Sequence, residues 1–346
     1  MDTIRVGIIG AGKNMRDRHM PGFRAIDDLE IVSVVNRSRE SGERFAAEFD
    51  VPNVAESVEA LLADDSINAI CIGTWPYMHR KFTIAALEAG KHVLCEARMS
   101  TDAANAEAML AASQARPDLV AQIVPAPLDL RLGSTITRLI AEGALGEILE
   151  VHVRSLDASG LDPETPLHWR HRVDYSGANT MHLGLFHEML QRWLGDTTRV
   201  VAHHRVFVES RTDAESGERM AIRVPDSVTV SADMAIGARA TYQLSAVTAG
   251  ITTAQVNLYG TLGALQWTRG DTAEWALHGD ELQELVPDAG TDLGWQVEAD
   301  FARSIRDGAP VRLTSFSDGV RYMRFIEAAR RSGAEGRALD IDPLRD

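Results

Sequence analysis

Up to about residue 124, short apolar runs alternate with segments that carry apolar residues at helical spacing. The apolar runs have the length of buried strands, and we predict five strands, over residues 4–9, 31–35, 69–72, 92–95 and 120–124. Three segments between them place Ala, Leu and Phe on one face and charge on the other, which predicts helices over residues 39–49, 79–89 and 102–115. This order is typical of a parallel sheet covered by helices.

The run Val124-Pro125-Ala126-Pro127 interrupts this pattern, because proline disfavours both a continued helix and a central strand. Beyond it the strands alternate polar and apolar residues, which is typical of a sheet with one face on a core. We predict strands over residues 148–155, 200–207, 227–234, 239–245 and 255–259, helices over residues 134–142, 180–194, 295–306 and 315–331, and an exposed loop over residues 212–218. The expected domains are residues 1–124 and 125–346.

Composition and charge narrow the range of binding partners and cellular locations. The formal net charge of −15 argues against binding to nucleic acid or to an anionic membrane, and favours a small-molecule substrate. Cys71 and Cys95 lie in short apolar runs without disulfide or metal spacing, so we expect two buried thiols in a reducing compartment and no metal site. No run approaches the ~20 apolar residues that a membrane helix needs. We therefore expect a cytoplasmic protein.

A glycine-rich turn follows the first predicted strand. In Gly10-Ala11-Gly12-Lys13-Asn14-Met15, Gly10 permits a tight turn and Gly12 leaves room for a pyrophosphate at the amides of the next helix. Met15 replaces the third glycine of the GxGxxG pattern. A glycine-rich turn without a ligand is the alternative, but the turn's place in a βαβ pattern favours dinucleotide binding, with contacts from Gly10, Gly12, Lys13, Asn14 and Met15.

The second predicted strand ends in Asn36-Arg37-Ser38, where proteins that bind NAD present a carboxylate to the ribose 2′-hydroxyl. Asn36 carries no charge that would repel a 2′-phosphate, while Arg37 offers a planar cation and Ser38 a hydroxyl donor. The alternative is that Arg37 is an ordinary solvated charge. This interpretation favours NADP(H) over NAD(H) as the cofactor.

The run His92-Val93-Leu94-Cys95-Glu96-Ala97-Arg98-Met99 resembles a motif of the Gfo/Idh/MocA family of nicotinamide-dependent sugar and polyol oxidoreductases. In that family Cys-Glu is normally followed by Lys-Pro, and the lysine is the usual catalytic ammonium. Here the two residues after Glu96 are Ala97 and Arg98, so Ala97 occupies the position of the lysine. The resemblance implies a cofactor contact at Glu96, with an ordinary strand-end salt bridge as the alternative. It also implies contacts from a segment similar to the family's Thr-Pro-x-x-x-His, of which we name Thr74, Trp75, Pro76 and His79. For His79 the alternative is a capping or first-turn residue of the helix that begins there.

The resemblance runs nearly end to end. It implies an α/β fold: an N-terminal Rossmann domain with a doubly wound parallel sheet, and a C-terminal α/β domain with an open, mostly antiparallel sheet through which relatives commonly dimerise. Homo-oligomerisation, as a dimer or tetramer, is therefore expected. Trp169-Arg170 resembles the family's Trp-Arg, and aligning residues 176–186 with its Gly-Gly-x-x-x-x-Asp-x-Gly-x-His puts His182 in the aspartate slot and Phe186 in the histidine slot.

Positions 182 and 186 are expected to share a helix face beyond a cap at Asn179 or Thr180, whereas His187 is rotated about 100° away and is interpreted as structural. An imidazole at His182 can exchange a proton near neutral pH, although a buried structural histidine is the alternative. Arg98 can only hold an anion. The candidate catalytic residues are His182, Arg98 and Tyr175, and the candidate substrate contacts are Arg98, His168, Trp169, Arg170, His182 and Phe186.

The sequence thus predicts an NADP(H)-dependent oxidoreductase that acts on a sugar, polyol or related hydroxylated compound with unusual acid-base residues. Two alternatives remain. One is a lyase or glycosidase-like enzyme that oxidises its substrate transiently. The other is a catalytically silent sensor that retains the dinucleotide fold.

Overall fold

A six-stranded sheet forms the centre of the first of two structural units. The structure is a computed structural model and describes residues 3–344. Its strands are β1 (Ile4–Ile9), β2 (Leu29–Val35), β3 (Asn53–Val54), β4 (Ala69–Ile72), β5 (His92–Cys95) and β6 (Ala121–Ile123). All neighbours pair in parallel, in the order β3-β2-β1-β4-β5-β6. Every residue of β4 is buried, as expected of a strand with both faces covered.

Helices connect these strands. They are α1 (Met20–Arg24), α2 (Arg39–Glu48), α3 (Val58–Leu62), α4 (Pro76–Glu88) and α5 (Ala103–Gln114). Side chains of Ser38, Ser57 and Asp102 accept hydrogen bonds from the N–H three residues on, which fixes where α2, α3 and α5 begin. A π-helical turn, Met15–His19, runs directly into α1.

The domain division differs from the sequence expectation. The first unit comprises Met1–Pro125 together with Gln296–Val320, and the second comprises Ala126–Trp295 and Arg321–Asp346. Residues 296–320, which we had placed in the second domain, return to the first because they pair with its edge strand: Ile123 N–H donates to Thr314 O at 2.9 Å, and Thr314 N–H donates back to Ile123 O at 3.2 Å. Helix α9 (Val297–Asp307) lies in this returning segment, a placement that local periodicity could not show.

The second unit is built on a nine-stranded sheet. Its strands are β7 (Ile148–Leu156), β8 (Thr197–Arg205), β11 (Ser227–Met234), β12 (Arg239–Ser245), β13 (Thr253–Gly260), β14 (Gly263–Thr268), β15 (Thr272–Leu277), β16 (Gln283–Glu284) and β17 (Leu339–Asp340), in the order β16-β15-β14-β13-β7-β12-β11-β8-β17. Within the described residues of this sheet, only β7 and β12 pair in parallel. A separate hairpin joins β9 (Ser210–Thr212) to β10 (Arg219–Ala221), and the loop expected over residues 212–218 connects them. The predicted fold class is confirmed.

The helices of the second unit are α6 (Gly133–Ala141), α7 (Val173–Ser176), α8 (Leu183–Leu194) and the larger part of α10 (Phe316–Glu335). A buried ionic cluster anchors the start of this unit to α8. Arg192 contacts Asp129 and, at 2.7 Å, Glu188, whose carboxylate also accepts the N–H of Ala126 at 2.9 Å. Trp193 donates to Asp129 at 2.8 Å. The proline-rich segment is thereby fixed to the helix. Among residues 3–344, no helix has the length and hydropathy needed to span a bilayer.

Candidate functional site

The glycine-rich turn after β1 has the geometry that the sequence predicts. Gly10 adopts φ 85°, and a Cβ there would lie 2.7 Å from the side chain of Thr74, so only glycine fits. This turn lies where the strand order reverses between β1 and β4, at the carboxyl ends of the strands. Open α/β sheets bind ligands at that switch point.

The rest of the turn explains why the third glycine is dispensable. The nearest atom to a Cβ at Gly12 would be Gly73 O, 3.8 Å away, so this backbone has open space beside it. Lys13 and Asn14 are exposed, and Lys13 pairs with Asp17. Met15 is 1% exposed, and its Cε lies 3.0 Å from where a Cβ of Gly73 would be. The missing side chain at position 73 makes room for the methionine.

At the end of β2 the side chains of Asn36 and Ser38 are already bonded to the protein. Asn36 Oδ1 accepts the N–H of Ala11 in the glycine-rich turn at 3.0 Å, and Ser38 Oγ accepts the N–H of Ser41 at 3.3 Å. The Ser38 hydroxyl can still donate its proton. Arg37, between them, is exposed. Residues 36–38, which directly follow β2, include no acidic side chain.

The segment after β4 is organised by a buried histidine. Trp75 precedes α4 and Pro76 opens it, which suits the missing N–H of proline. His79, in the first turn, is fully buried: Nε2 lies 2.9 Å from Thr74 O, and Nδ1 lies 3.1 Å from Arg98 O and 3.2 Å from Met99 O. Burial lowers the pKa of His79, and the carbonyl contacts oppose this. His79 therefore ties the turn after β4 to the turn after β5.

The turn after β5 places Glu96 in an ion pair. Its Oε1 lies 3.1 Å from Nε2 of His19, and its Oε2 accepts the N–H of Ala97 at 3.2 Å. Burial alone would raise the pKa of Glu96, but His19, Asn14 and the Ala97 amide together lower it. Of the two roles considered for Glu96, the strand-end salt bridge is therefore present. Arg98 is 7% exposed.

His19 and Glu298 complete this cluster, and sequence reasoning missed both. Nδ1 of His19 lies 2.6 Å from Oε1 of Glu298, the second residue of α9. One signal was available: Met15, His19 and Phe23 are spaced by four, and all three are buried. For Glu298 the sequence offers no local signal.

The candidate substrate segment of the second unit begins with two linked histidines. Nδ1 of His168 accepts the N–H of Arg170 at 3.3 Å, and Nδ1 of His171 accepts the N–H of His168 at 3.2 Å. Burial first and the charge of Arg211 second lower the pKa of His171 to about 4, and burial with Arg170 lowers that of His168. Both rings are neutral near pH 7, as an accepting Nδ1 requires.

The same segment carries aromatic and cationic side chains side by side. Arg170, which is exposed, stacks over Trp169 at 4.3 Å from the ring centroid, and Arg172 stacks over Tyr175 at 4.6 Å. Arg211, 2% exposed, donates to three carbonyls of the preceding loop, those of Gly160, Asp162 and Thr165. This buried arginine, which the sequence did not reveal, fixes the loop that leads into the segment.

The two residues expected on one helix face lie one turn apart, since the N–H of Phe186 donates to His182 O at 3.1 Å, but they differ in burial. His182 is exposed and is itself the N-cap of α8, while Phe186 is 2% exposed and packs in the core. The expected cap is wrong: Asn179 donates to Ser176 O, and the hydroxyl of Thr180 donates to Ala178 O. Met181 has φ 45°, so the chain enters the helix only after it.

His187 lies in the core of the second unit, as its structural interpretation requires. Its Nδ1 is 3.0 Å from the hydroxyl of Tyr242, and its ring stacks on Phe325 with centroids 3.5 Å apart. Burial lowers the pKa of His187 to about 3. The ring is therefore neutral at every pH at which the protein is expected to work.

Comparison with known proteins identifies the family. The sequence model described as "Oxidoreductase family, NAD-binding Rossmann fold" matches residues 4–122, and that described as "GFO/IDH/MocA C-terminal domain" matches residues 134–266. The chain belongs to the Gfo/Idh/MocA family of NAD(P)-dependent oxidoreductases, so the resemblance drawn from the sequence is confirmed.

Some relatives are distant but match almost the whole chain. The dTDP-3,4-didehydro-2,6-dideoxy-alpha-D-glucose 3-reductase of Streptomyces antibioticus is 27% identical over 94% of this chain and 95% of its own. The scyllo-inositol 2-dehydrogenase (NADP(+)) of Bacillus subtilis is 24% identical over 99% and 97%. A levoglucosan dehydrogenase in complex with NADH and L-sorbose superimposes with a TM-score of 0.87 at 22% identity, covering 98% of this chain and 99% of that one; it shows a shared fold.

Proposed function

We propose that the protein is an NADP(H)-dependent oxidoreductase that acts on a sugar, polyol or related hydroxylated compound. The relatives support the substrate class, since their names refer to a deoxysugar nucleotide, an inositol and levoglucosan. They leave the cofactor open, because one is named for NADP(+) and another was crystallised with NADH. The choice of NADP(H) therefore rests on this chain's own residues.

The end of β2 carries the cofactor proposal. Asn36 directs its amide oxygen to the Ala11 N–H, so it adds no negative charge, and exposed Arg37 follows at once. A guanidinium binds a 2′-phosphate well, whereas a carboxylate here would repel it.

The test measures dissociation constants of both cofactors on wild type, Arg37→Ala and, as a matched control, Arg39→Ala, another exposed arginine that pairs with Glu43. Wild type should prefer NADP(H), and Arg37→Ala should weaken only NADP(H), by about tenfold, or ~1.4 kcal/mol. Equal cofactor affinities, or an NAD preference unchanged by the substitution, would refute the proposal.

We propose His182 as the proton-transfer group or, failing that, the residue that fixes a substrate hydroxyl. It is an exposed imidazole at the start of α8. With a substrate found from a carbohydrate panel, His182→Ala should lower kcat by about 100-fold with cofactor affinity intact, as expected for losing a general acid-base group. His203→Ala, another exposed histidine of the same unit, should leave kcat unchanged. If His182→Ala is equally harmless, the group must be sought among His168, His171 and Tyr175.

Each compound of the carbohydrate panel must be tested both for a change in NADPH absorbance at 340 nm and for non-redox products. Net formation or consumption of NADPH separates a dehydrogenase from an enzyme that oxidises its substrate only transiently. The proposal also includes Arg98, whose guanidinium would hold an anionic group of the substrate. Loss of activity toward anionic substrates alone in Arg98→Gln would support this role.

We also propose a homo-oligomer, a dimer or tetramer, assembled through the sheet of the second unit. On β7 the side chains of Val151 and Val153 are buried, while those of Glu150 and Arg154 are exposed. This alternation leaves a broad polar face that a second copy could cover. Light scattering measures the oligomer mass, and a monomer at micromolar concentration would reject the idea.

A cytoplasmic location is proposed as well, because Cys71 and Cys95 are free, buried thiols.

A further inference from the structure

A buried ionic cluster in the first unit joins three segments that are far apart in sequence. His19 ends the π-helical turn after the glycine-rich turn, Glu96 follows β5, and Glu298 lies in α9. Their side chains are 0%, 9% and 2% exposed. Gly22, one turn after His19, leaves room for the third member, because a Cβ there would overlap the carboxylate of Glu298.

The two contacts of the His19 ring define its charge. Each ring nitrogen faces a carboxylate oxygen, at 2.6 Å for Glu298 and 3.1 Å for Glu96. A neutral imidazole has one N–H and cannot donate to both, whereas imidazolium can. Burial alone would lower the pKa of His19, but the hydrogen bonds and charges of the two glutamates raise it to about 9. The ring is therefore a buried cation at neutral pH.

This cation holds the turn after β5 from one side, and His79 holds it from the other. The Glu96 carboxylate is fixed by His19, by the Ala97 N–H and by the side chain of Asn14. The carbonyls of Arg98 and Met99 contact the ring of His79. The four residues of the turn thus have anchors at both ends.

The position of this turn relates it to the cofactor. The turns after β1, β4 and β5 lie at the carboxyl edge of three adjacent strands, and the switch point lies between the first two. The adenosine ribose of a dinucleotide belongs to the end of β2, on the other side of that point. We propose that His19 and Glu298 form a clamp that holds the turn 96–99 in the conformation that binds the nicotinamide half of the cofactor.

The proposal rests on dinucleotide binding and not on the identity of the substrate. His19→Gln and Glu298→Gln each remove one charge of the clamp while keeping a polar side chain of similar size. His92→Gln is the matched control: it lies in the same unit at the opposite, amino end of β5, where Nδ1 accepts the Val120 N–H. Dissociation constants are measured on the full chain at pH 7 for NADPH and for adenosine 2′,5′-bisphosphate, which lacks the nicotinamide half.

Both clamp variants should bind NADPH about tenfold more weakly, or ~1.4 kcal/mol, and the bisphosphate as wild type does. A general loss of structure would weaken both ligands, and His92→Gln should change neither. Glu298→Asp keeps the carboxylate, so an NADPH affinity closer to that of wild type than the affinity of Glu298→Gln would support the clamp further. Unchanged NADPH affinity in folded clamp variants overturns the proposal while leaving the proposed function intact. A wild-type protein that binds no nicotinamide dinucleotide overturns both.

If neither clamp variant folds, the wild-type pH profile decides. NADPH affinity should weaken between pH 8 and pH 10 as His19 loses its proton, and a flat profile over that range overturns the clamp. Other titratable groups that interact with the carboxylates are Cys71 and Cys95, whose pKa values burial and glutamate charge raise, and His79, whose pKa burial lowers. His79 is already neutral in this range and both thiols remain protonated, so none of them accounts for such a change.

Discussion

Two buried histidines, one in each unit, differ in charge: His19 is a cation and His187 is neutral. His19 is fully buried and His187 is 2% exposed, so burial alone would make both neutral. His19 lies between two carboxylates and has a pKa of about 9, whereas His187 contacts a tyrosine hydroxyl and a phenylalanine ring and has a pKa of about 3. The contrast shows that the partner's charge, and not the depth of burial, decides the protonation state of a core histidine.

The comparison predicts its largest effect at His19. His19→Leu should lower the free energy of unfolding at pH 7 by about 3–5 kcal/mol, because it leaves two buried carboxylates without a cation. Urea denaturation measures the loss. Adding Glu298→Leu should recover part of it, since only one buried carboxylate then remains. A double variant that is less stable than the single one would contradict this account.

The pH dependence of wild-type stability should show both histidines with opposite signs. The folded pKa of His19 lies above its unfolded value near 6.5, so its contribution is complete below pH 6.5 and is lost as pH rises through about 9. His187 has a depressed folded pKa, so its contribution is complete above pH 6.5 and is lost as pH falls toward 3. Each slope is at most about 1.4 kcal/mol per pH unit. His19→Gln should make the alkaline decline shallower and leave the acid one; the buried thiols of Cys71 and Cys95 account for an alkaline decline that remains.

A smaller effect is expected at His187. His187→Leu should cost about 1–3 kcal/mol, because the buried hydroxyl of Tyr242 loses its partner and no charge is left behind. The acid decline of stability between pH 6.5 and pH 5 should become shallower. Urea unfolding at the two pH values checks both expectations, and an unchanged acid slope would show that another group titrates there.

The smallest effect concerns Gly22. Gly22→Ala would push its methyl group against the Glu298 carboxylate, and we expect a net loss of about 1–2 kcal/mol despite the better helix propensity of alanine. The alkaline decline should also move to lower pH, because a displaced carboxylate stabilises the imidazolium less. Gly42→Ala, a second glycine within a helix of this unit, serves as the control and should leave that decline in place.

Sequence pattern predicted most of the fold for a physical reason. Strands such as β1, β4 and β11 match their predicted bounds, because buried runs and strict alternation are local signals. The return of residues 296–320 to the first unit was missed, since it depends on an edge pairing about 190 residues away along the chain, Ile123 with Thr314. Helix α8 starts later than predicted because Met181 has a positive φ that apolar periodicity does not report.

The candidate site likewise has features that local sequence predicts and features that it does not. Gly10 and Gly12 form the tight turn that the motif predicts, because a turn is encoded by consecutive residues. The cofactor contacts of these residues and of Asn36 stay a prediction. The partnership of His19 with Glu298 spans 279 positions and follows no spacing rule. His182 and Phe186 lie one turn apart, as helical spacing predicts, but His182, the N-cap, is exposed whereas Phe186 is buried.

The packing of Met15 against Gly73 limits which substitutions this turn tolerates. A side chain at position 73 would collide with both the backbone of Gly10 and the methionine, while glycine at 15 would leave the space beside it empty. The dependence is asymmetric. The Gly10 backbone keeps position 73 as glycine whatever stands at position 15, and Met15 fills the volume that this glycine leaves.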